Sequence, residues 1–215
     1  MSNKTLRMQA YKWLKKKIIT LEFPMGSPLL ESDLCQETGL GRTPVREAVQ
    51  QLASEGLISI RPRKGIFVSD INFLDFDNLI EARIMLETHV IRRVADTITP
   101  KQSEKLRMLF VDVPDLIDKG DINGLLVIER SFHQSLVSLL ENPYLDSIAE
   151  RIYDLVERTW QLSFRKRSKS DLARTLNDHL VILEELEKGD VNAAEKVTLD
   201  HILNFRSKVF RQPEV

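Results

Sequence analysis

Residues 34–65 constrain this chain more than any other stretch. The pattern over 31–38 is that of a short helix, and Gly39 stops it. A second helix is expected from Thr43, a good N-cap residue, with Pro44 at the first helical position, where its missing N–H costs nothing. Val45, Val49 and Leu52 recur at helical spacing on one face of it, and Arg42 and Arg46 stand at its start on the side left free. Glu55-Gly56 closes it, glycine suiting a left-handed residue after a helix. Strand-like runs over 57–61 and 66–69 follow, joined by the turn Pro62-Arg63-Lys64-Gly65. Two short helices around a glycine-containing turn, then a basic hairpin, describe a winged helix-turn-helix.

That arrangement suits duplex DNA. A helix fills the major groove, and an arginine near its N-terminus reaches guanine O6 and N7 with two hydrogen bonds, worth roughly 1–3 kcal/mol of discrimination. Arg42 and Arg46 are the expected base readers, with Thr43 in the same first turn. Lys64 and Gly65 at the hairpin tip are placed to approach a phosphate or the minor groove, glycine letting the backbone come close. Taken singly, each is an ordinary surface residue; the hairpin and helix together favour DNA.

The net charge of -1 argues against a generally basic DNA binder, but the distribution is uneven. Residues 1–70 hold 11 Lys+Arg against 7 Asp+Glu, and residues 71–215 hold 20 against 25. The basic surplus sits in the half with the helix-turn-helix, as DNA binding requires. Cys35, the one cysteine, has no internal disulfide partner and is expected as a buried thiol in a reducing cytosol. Lys4 and Arg7 precede no apolar stretch, so no signal peptide is expected, and no segment approaches the roughly 20 apolar residues of a membrane span. The reading is a cytoplasmic protein with no membrane partner.

Three parts are expected: a DNA-binding domain over 1–70, a linker over 71–73 and a helical domain over 74–215. A first helix over 3–21 carries Leu6, Ala10, Trp13, Leu14 and Ile18 on one face. Lys12, Lys15, Lys16 and Lys17 line the rest, as a solvated face or as phosphate contacts. After the hairpin the pattern is helical throughout, with no alternating strand signal. Six helices are expected: 74–97, 100–119 with Pro114 kinking or breaking it, one ending at Leu140, 144–164, one capped by Asp171 and ended by Gly189, and one capped by Asp190 and running to Phe210. Short loops make them an antiparallel all-α bundle, and the whole chain mainly α.

Within that bundle Glu129 and His133 stand at i and i+4, on neighbouring turns of one helix face, while His179 and His201 lie on the last two helices. A carboxylate and three imidazoles suit a divalent ion such as Zn²⁺, Ni²⁺, Fe²⁺, Mn²⁺ or Co²⁺. Spacing alone leaves a metal site and four structural side chains equally open. Arg83 and Glu87 read as an i,i+4 pair or as an anion anchor. An enzyme on this bundle finds little support: a di-iron bundle needs paired Glu-x-x-His motifs, and the chain has one Glu-x-x-x-His and no phosphate loop or dinucleotide motif.

The runs Gly26-Ser27-Pro28-Leu29, Glu31-Ser32-Asp33-Leu34, Gly41-Arg42-Thr43-Pro44-Val45-Arg46-Glu47-Ala48-Val49, Glu55-Gly56-Leu57 and Gly65-Ile66-Phe67-Val68 resemble the N-terminal domain of GntR-type bacterial transcription regulators. Glu129 to Leu136 with Asn142-Pro143, and Asp178 to Leu183 with Gly189-Asp190, Ala193-Ala194 and His201-Ile202, resemble the FCD branch of that family. The resemblance implies Arg42 and Arg46 as base readers and Gly65 as the wing tip. It also implies Glu129, His133, His179 and His201 as metal ligands, with Zn²⁺ or Ni²⁺ foremost, and Arg83 as the partner of an effector carboxylate. Ser32 stands where some relatives carry arginine, Glu129 where aspartate is usual, and Glu141 where a small residue is usual. The implied function is a homodimeric repressor on a palindromic operator, answering a small organic acid. An ion-free regulator with an acyl or other carboxylate effector stays open.

Overall fold

The computed structural model describes residues 3–209 as two compact units that divide between Asn72 and Phe73. In the first, α1 (Asn3–Ile19), α2 (Glu31–Thr38) and α3 (Arg42–Ser54) accompany a three-stranded sheet of β1 (Pro28–Leu29), β2 (Ile58–Arg61) and β3 (Gly65–Val68). The sheet order is β1-β3-β2, both pairings antiparallel, with Ile58 opposite Val68 and Pro28 opposite Phe67. Ala10, Leu14 and Ile18 of α1 and Val45, Val49 and Leu52 of α3 are buried, so the expected apolar faces form the core.

Four local expectations are corrected here. Thr43 is not the N-cap of α3: the helix starts at Arg42, Gly41 holds the cap position with extended backbone, and no side chain caps it. Pro44 still lies in the first turn, where the N–H it lacks has no partner to lose. α1 stops at Ile19 because Leu21 takes a positive φ of 60°. β1 was unexpected. Gly26, at φ 75°, turns the chain so that its N–H donates to the Val68 carbonyl, and Val68 N–H donates to Ser27. Cys35 is half-buried rather than enclosed.

The second unit comprises α4 (Phe73–Ala95), α5 (Pro100–Met108), α6 (Val113–Lys119), α7 (Ile122–Ser138), α8 (Pro143–Phe164), α9 (Lys169–Lys188) and α10 (Val191–Val209). Seven helices therefore stand among the described residues where six were expected. Pro114 removes a donor and its ring excludes a carbonyl one turn back, so the chain breaks over 109–112 and restarts at Val113. Thr99 and Gln102 form a reciprocal capping box on α5, and Asn142 accepts from Tyr144 and Leu145 N–H at the start of α8. α9 is capped by Ser168, whose hydroxyl accepts from Asp171 N–H, and Asp171 instead lies in its first turn. Asp190 accepts from Ala193 N–H, as a cap of α10 should. The expected end of that helix at Phe210 lies outside the described residues. α10 packs along α4 and α9, and α7 along α8, so the inward stripes of α4, α7, α8, α9 and α10 share one core.

A buried carboxylate–histidine group and an exposed arginine helix

In the first unit Arg42, Thr43 and Arg46 are all exposed on the first two turns of α3. Lys64 and Gly65 are exposed at the tip of the β2–β3 hairpin, where Gly65 has a φ of 107° and no heavy atom within 4 Å of where a Cβ would stand. Arg61 lies over the Phe67 ring at 4.6 Å, which stiffens the same hairpin. Arg46 is not free. Its Nε donates to Glu31 Oε2 at 2.7 Å, with the arginine side chain still 59% exposed. The pair engages Nε and leaves the two terminal nitrogens of the guanidinium out of that bond. The lysine row of α1 is partly spent internally. Lys15 donates to the Tyr11 hydroxyl and lies 4.0 Å from Glu55, and Lys17 pairs with Glu22 beside Trp13, leaving Lys12 and Lys16 exposed.

In the second unit Glu129 and His133 of α7, His179 of α9 and His201 of α10 meet, each buried, with one donor atom apiece all within 4.8 Å of one another. Glu129 Oε1 lies 3.5 Å from His133 Nε2 and 3.7 Å from His201 Nε2, and its Oε2 lies 3.5 Å from His179 Nε2. The extra methylene of glutamate therefore still brings its carboxylate to the centre of the three rings. His89 lies exposed on α4, away from the group. Aromatic side chains wall the site: Phe110 stacks on His179, Phe132 meets it edge-on at 4.7 Å, and Trp160 stacks on His133.

The outer nitrogens decide what the inner ones can do. His179 Nδ1 lies 3.2 Å from the Leu176 carbonyl, which only accepts, so Nδ1 carries the proton. His133 Nδ1 lies 3.1 Å from Glu87 Oε2, and His201 Nδ1 lies 3.5 Å from Asp178 Oδ2. Glu87 is ionised: burial pushes its pKa up, but Arg83 and His133 outweigh that and hold it far below the usual carboxylate range. Burial likewise opposes the charge of Glu129, yet the surrounding imidazoles hold it well below its ordinary value. Burial lowers His179 to about 4, so it is neutral at pH 7. His201 is shifted the other way: burial lowers its pKa, and the neighbouring carboxylates of Asp178 and Glu129 overcome that to raise it.

With Nδ1 protonated in His133 and His179, their Nε2 lone pairs face each other at 3.2 Å across from an anionic carboxylate. Glu129 Oε2 and His201 Nε2 have no hydrogen-bond partner. Electron pairs converging on one buried point are complementary to a cation, so the residues present fit a divalent ion. Orientation of each ring through its other nitrogen is the usual support for such ligands.

Arg83 lies beside the group, fully buried. Its Nε donates to Glu87 at 2.6 Å, its Nη2 donates to His133 Nε2 at 3.0 Å, and its Nη1 has no partner. Trp160 and Phe205 flank the guanidinium, at 5.1 and 5.8 Å. A cavity of about 10 Å³ beside His133 and Glu87 has room for one water-sized body, so anything larger enters only if side chains move. The roles of Glu87 and Asp178 behind the histidines were not foreseen. Sequence spacing pairs Glu87 only with Arg83, and nothing in the spacing ties Asp178 to a ring on the next helix.

A winged helix-turn-helix followed by a helical unit with a buried carboxylate–histidine group defines a class of DNA-binding transcription regulator. The comparisons agree. A model described as the FCD domain matches residues 78–204, and one described as bacterial regulatory proteins, gntR family, matches residues 6–68. The chain is 28% identical over 204 residues to the HTH-type transcriptional repressor RspR of Escherichia coli K12, covering 95% of this chain and 89% of that one. It is 26% identical over 198 residues to a probable D-xylose utilization operon transcriptional repressor of Paenarthrobacter nicotinovorans, covering 92% and 86%. The fold superposes on E. coli McbR/YncC with a TM-score of 0.81 at 20% identity and 95% coverage of each chain. A putative GntR regulator from Rhodococcus sp. RHA1 gives the same score and identity, with 95% and 99% coverage. The chain belongs to the GntR family of bacterial regulators, in its FCD branch, whose members regulate transcription rather than catalyse reactions. Among the described residues no helix is long and apolar enough to cross a membrane.

Proposed function

We propose that this chain is a cytoplasmic repressor that binds a palindromic operator as a homodimer and answers a small organic acid held in the helical unit. The observation that carries the reading is the buried Glu129, His133, His179 and His201 group with the partly unpartnered Arg83 guanidinium beside it. The four residues would hold a divalent ion, Zn²⁺ or Ni²⁺ by the donor set, and such an ion supplies positive charge and a binding position for an acid oxygen. With two buried carboxylates, Glu87 and Glu129, against Arg83 and a divalent cation, the site keeps a positive excess that an anionic ligand neutralises. Once His133 Nε2 serves as a ligand, Arg83 Nη2 loses that acceptor and joins Nη1 in a fork suited to a carboxylate. A ligand larger than the cavity rearranges the helices that line it, and its differential affinity for the two arrangements is what shifts operator binding. Exposed Leu74 and Met85, at 66% and 72%, lie on one stripe of α4 and support a pairing surface.

On DNA, Arg42, Thr43 and Arg46 read bases while Lys64 and Gly65 fix the hairpin against the backbone. Fluorescence anisotropy with a selected inverted repeat tests this. Arg46→Ala is expected to remove roughly 1–3 kcal/mol of discrimination against a substituted half-site, with affinity falling steeply as salt rises. Glu31→Ala, which removes the acceptor of Arg46 Nε, is expected to reduce the same discrimination while leaving non-specific binding intact or slightly stronger. Unchanged sequence choice in Arg46→Ala would remove the base-reading role. Release of the operator by an added carboxylate, absent in protein without the acid's site, tests the sensor half.

A further inference from the structure

The helical unit holds a half-buried cation with two enclosed donors left unspent. Arg167 lies just past α8, with Nη1 donating to Thr175 Oγ1 at 2.9 Å, while its Nε and Nη2 are enclosed and have no hydrogen-bond partner. Thr175 lies one helical turn before His179, and Phe205, whose ring is 5.9 Å from the Arg167 guanidinium carbon, lies one turn after His201. Arg167 is thus held one turn beyond the carboxylate–histidine group. Phe205 is shared: Arg83 lies 5.8 Å from the same ring. The last turns of α8, just before Arg167, add two more buried donors without partners, Trp160 Nε1 and Ser163 Oγ. Enclosed donors without partners are costly, and a ligand that accepts from them removes that cost.

Resting on the effector reading above, we propose that the ligand is a small organic dianion, with one acidic group at Arg83 and the other at Arg167 and Ser163. Arg167 is then the specificity-determining residue that separates two-ended acids from monocarboxylates. The second acid is a carboxylate or a phosphate, since a guanidinium fork with a hydroxyl suits either.

Isothermal titration of metal-loaded full-length protein with dicarboxylates from malonate to adipate, with phosphoglycolate, and with monocarboxylates of matching length tests this. In the wild type at least one dianion is expected to bind about tenfold or more tightly than its monoanionic match, as one additional charge-assisted contact implies. The phosphoglycolate arm shows which second acid is preferred. Arg167→Gln is expected to bring that ratio close to one while leaving monocarboxylate affinity unchanged, and Arg167→Lys to restore part of it. A wild type that binds both classes equally, or an Arg167→Gln protein that keeps the preference, overturns the role of Arg167 while leaving the effector reading standing. A wild type that binds no carboxylate of either class overturns both.

Discussion

Excess Zn²⁺ or Ni²⁺ added to metal-free protein is expected to raise the melting temperature of the helical unit by roughly 8–16 °C, from about 4 kcal/mol of linkage for an ion at a thousand times its Kd. Two imidazole Nε2 atoms lie 3.2 Å apart beside an ionised carboxylate, with Arg83 the nearest cation, and a divalent ion among them would satisfy both lone pairs and the carboxylate at once. His179→Ala and His201→Ala should each abolish most of the metal-dependent rise, and the doubly substituted protein should purify without bound ion. The increment matters rather than the absolute temperature, because removing His179 also removes its packing on Phe110 and Phe132. His89→Ala is the matched control: that ring is exposed on α4, and the rise should persist in full. Metal content by mass spectrometry, on protein made without a histidine tag or chelator, checks the stoichiometry. Wild-type protein that carries no ion, and whose melting is indifferent to added ion, would remove metal from the mechanism.

Acid should weaken the metal-free protein over a defined window. The folded chain holds His179 near 4, whereas an unfolded histidine titrates near 6.5, so between those values the unfolded state binds more protons and stability falls as pH falls. The slope from this one ring approaches about 1.4 kcal/mol per pH unit. His201 has the opposite sign. Its raised pKa contributes stability that is complete below about 6.5 and is lost as pH rises through the raised value. Urea denaturation from pH 7 to pH 4 should show the fall, and His179→Ala should flatten it.

How much of this was legible beforehand follows from where each constraint resides. The helix-turn-helix was, because its information is local: Gly39 and Pro44 punctuate it, and Val45, Val49 and Leu52 mark one buried face. β1 was not, because a two-residue strand carries no alternation, and only the tertiary bond from Gly26 to Val68 creates it. Ser168 and Asp171 are both good capping residues, so composition does not choose between them; the Asp171 N–H donating to Ser168 Oγ does. The row of lysines on α1 looked uniform, yet Lys15 meets Glu55, a partner far along the chain that no pattern on α1 announces. In the helical unit Glu129 and His133 were a visible i,i+4 pair. Their convergence with His179 and His201 depends on how three helices pack, which spacing does not state and family resemblance supplied. The links from His133 to Glu87 and from His201 to Asp178 cross between helices and were out of reach for the same reason.

Arg83→Met is expected to destabilise the helical unit by about 3–5 kcal/mol, the loss that follows when one member of a buried ion pair is removed and the other stays behind. Both partners are enclosed: Arg83 is 0% exposed and Glu87 4%. Burial opposes each charge, and their mutual attraction at 2.6 Å restores it, raising the arginine and lowering the glutamate. Methionine preserves much of the packing between Trp160 and Phe205, so the loss reports the stranded carboxylate rather than a void. Adding Glu87→Gln should then recover most of the stability, since a neutral amide oxygen still accepts from His133 Nδ1 and no unpaired charge remains. The double variant separates structure from sensing. It should fold, retain the metal-dependent rise in melting temperature and bind operator, yet no longer release it when a carboxylate is added, because the guanidinium fork is gone. Denaturant titrations give the stabilities, and operator titrations with and without the acid give the response. If Arg83→Met costs less than about 1 kcal/mol, the pair is not holding this core together. If the double variant still answers the acid as the wild type does, the anion is held elsewhere and Arg83 is only a structural counter-ion to Glu87.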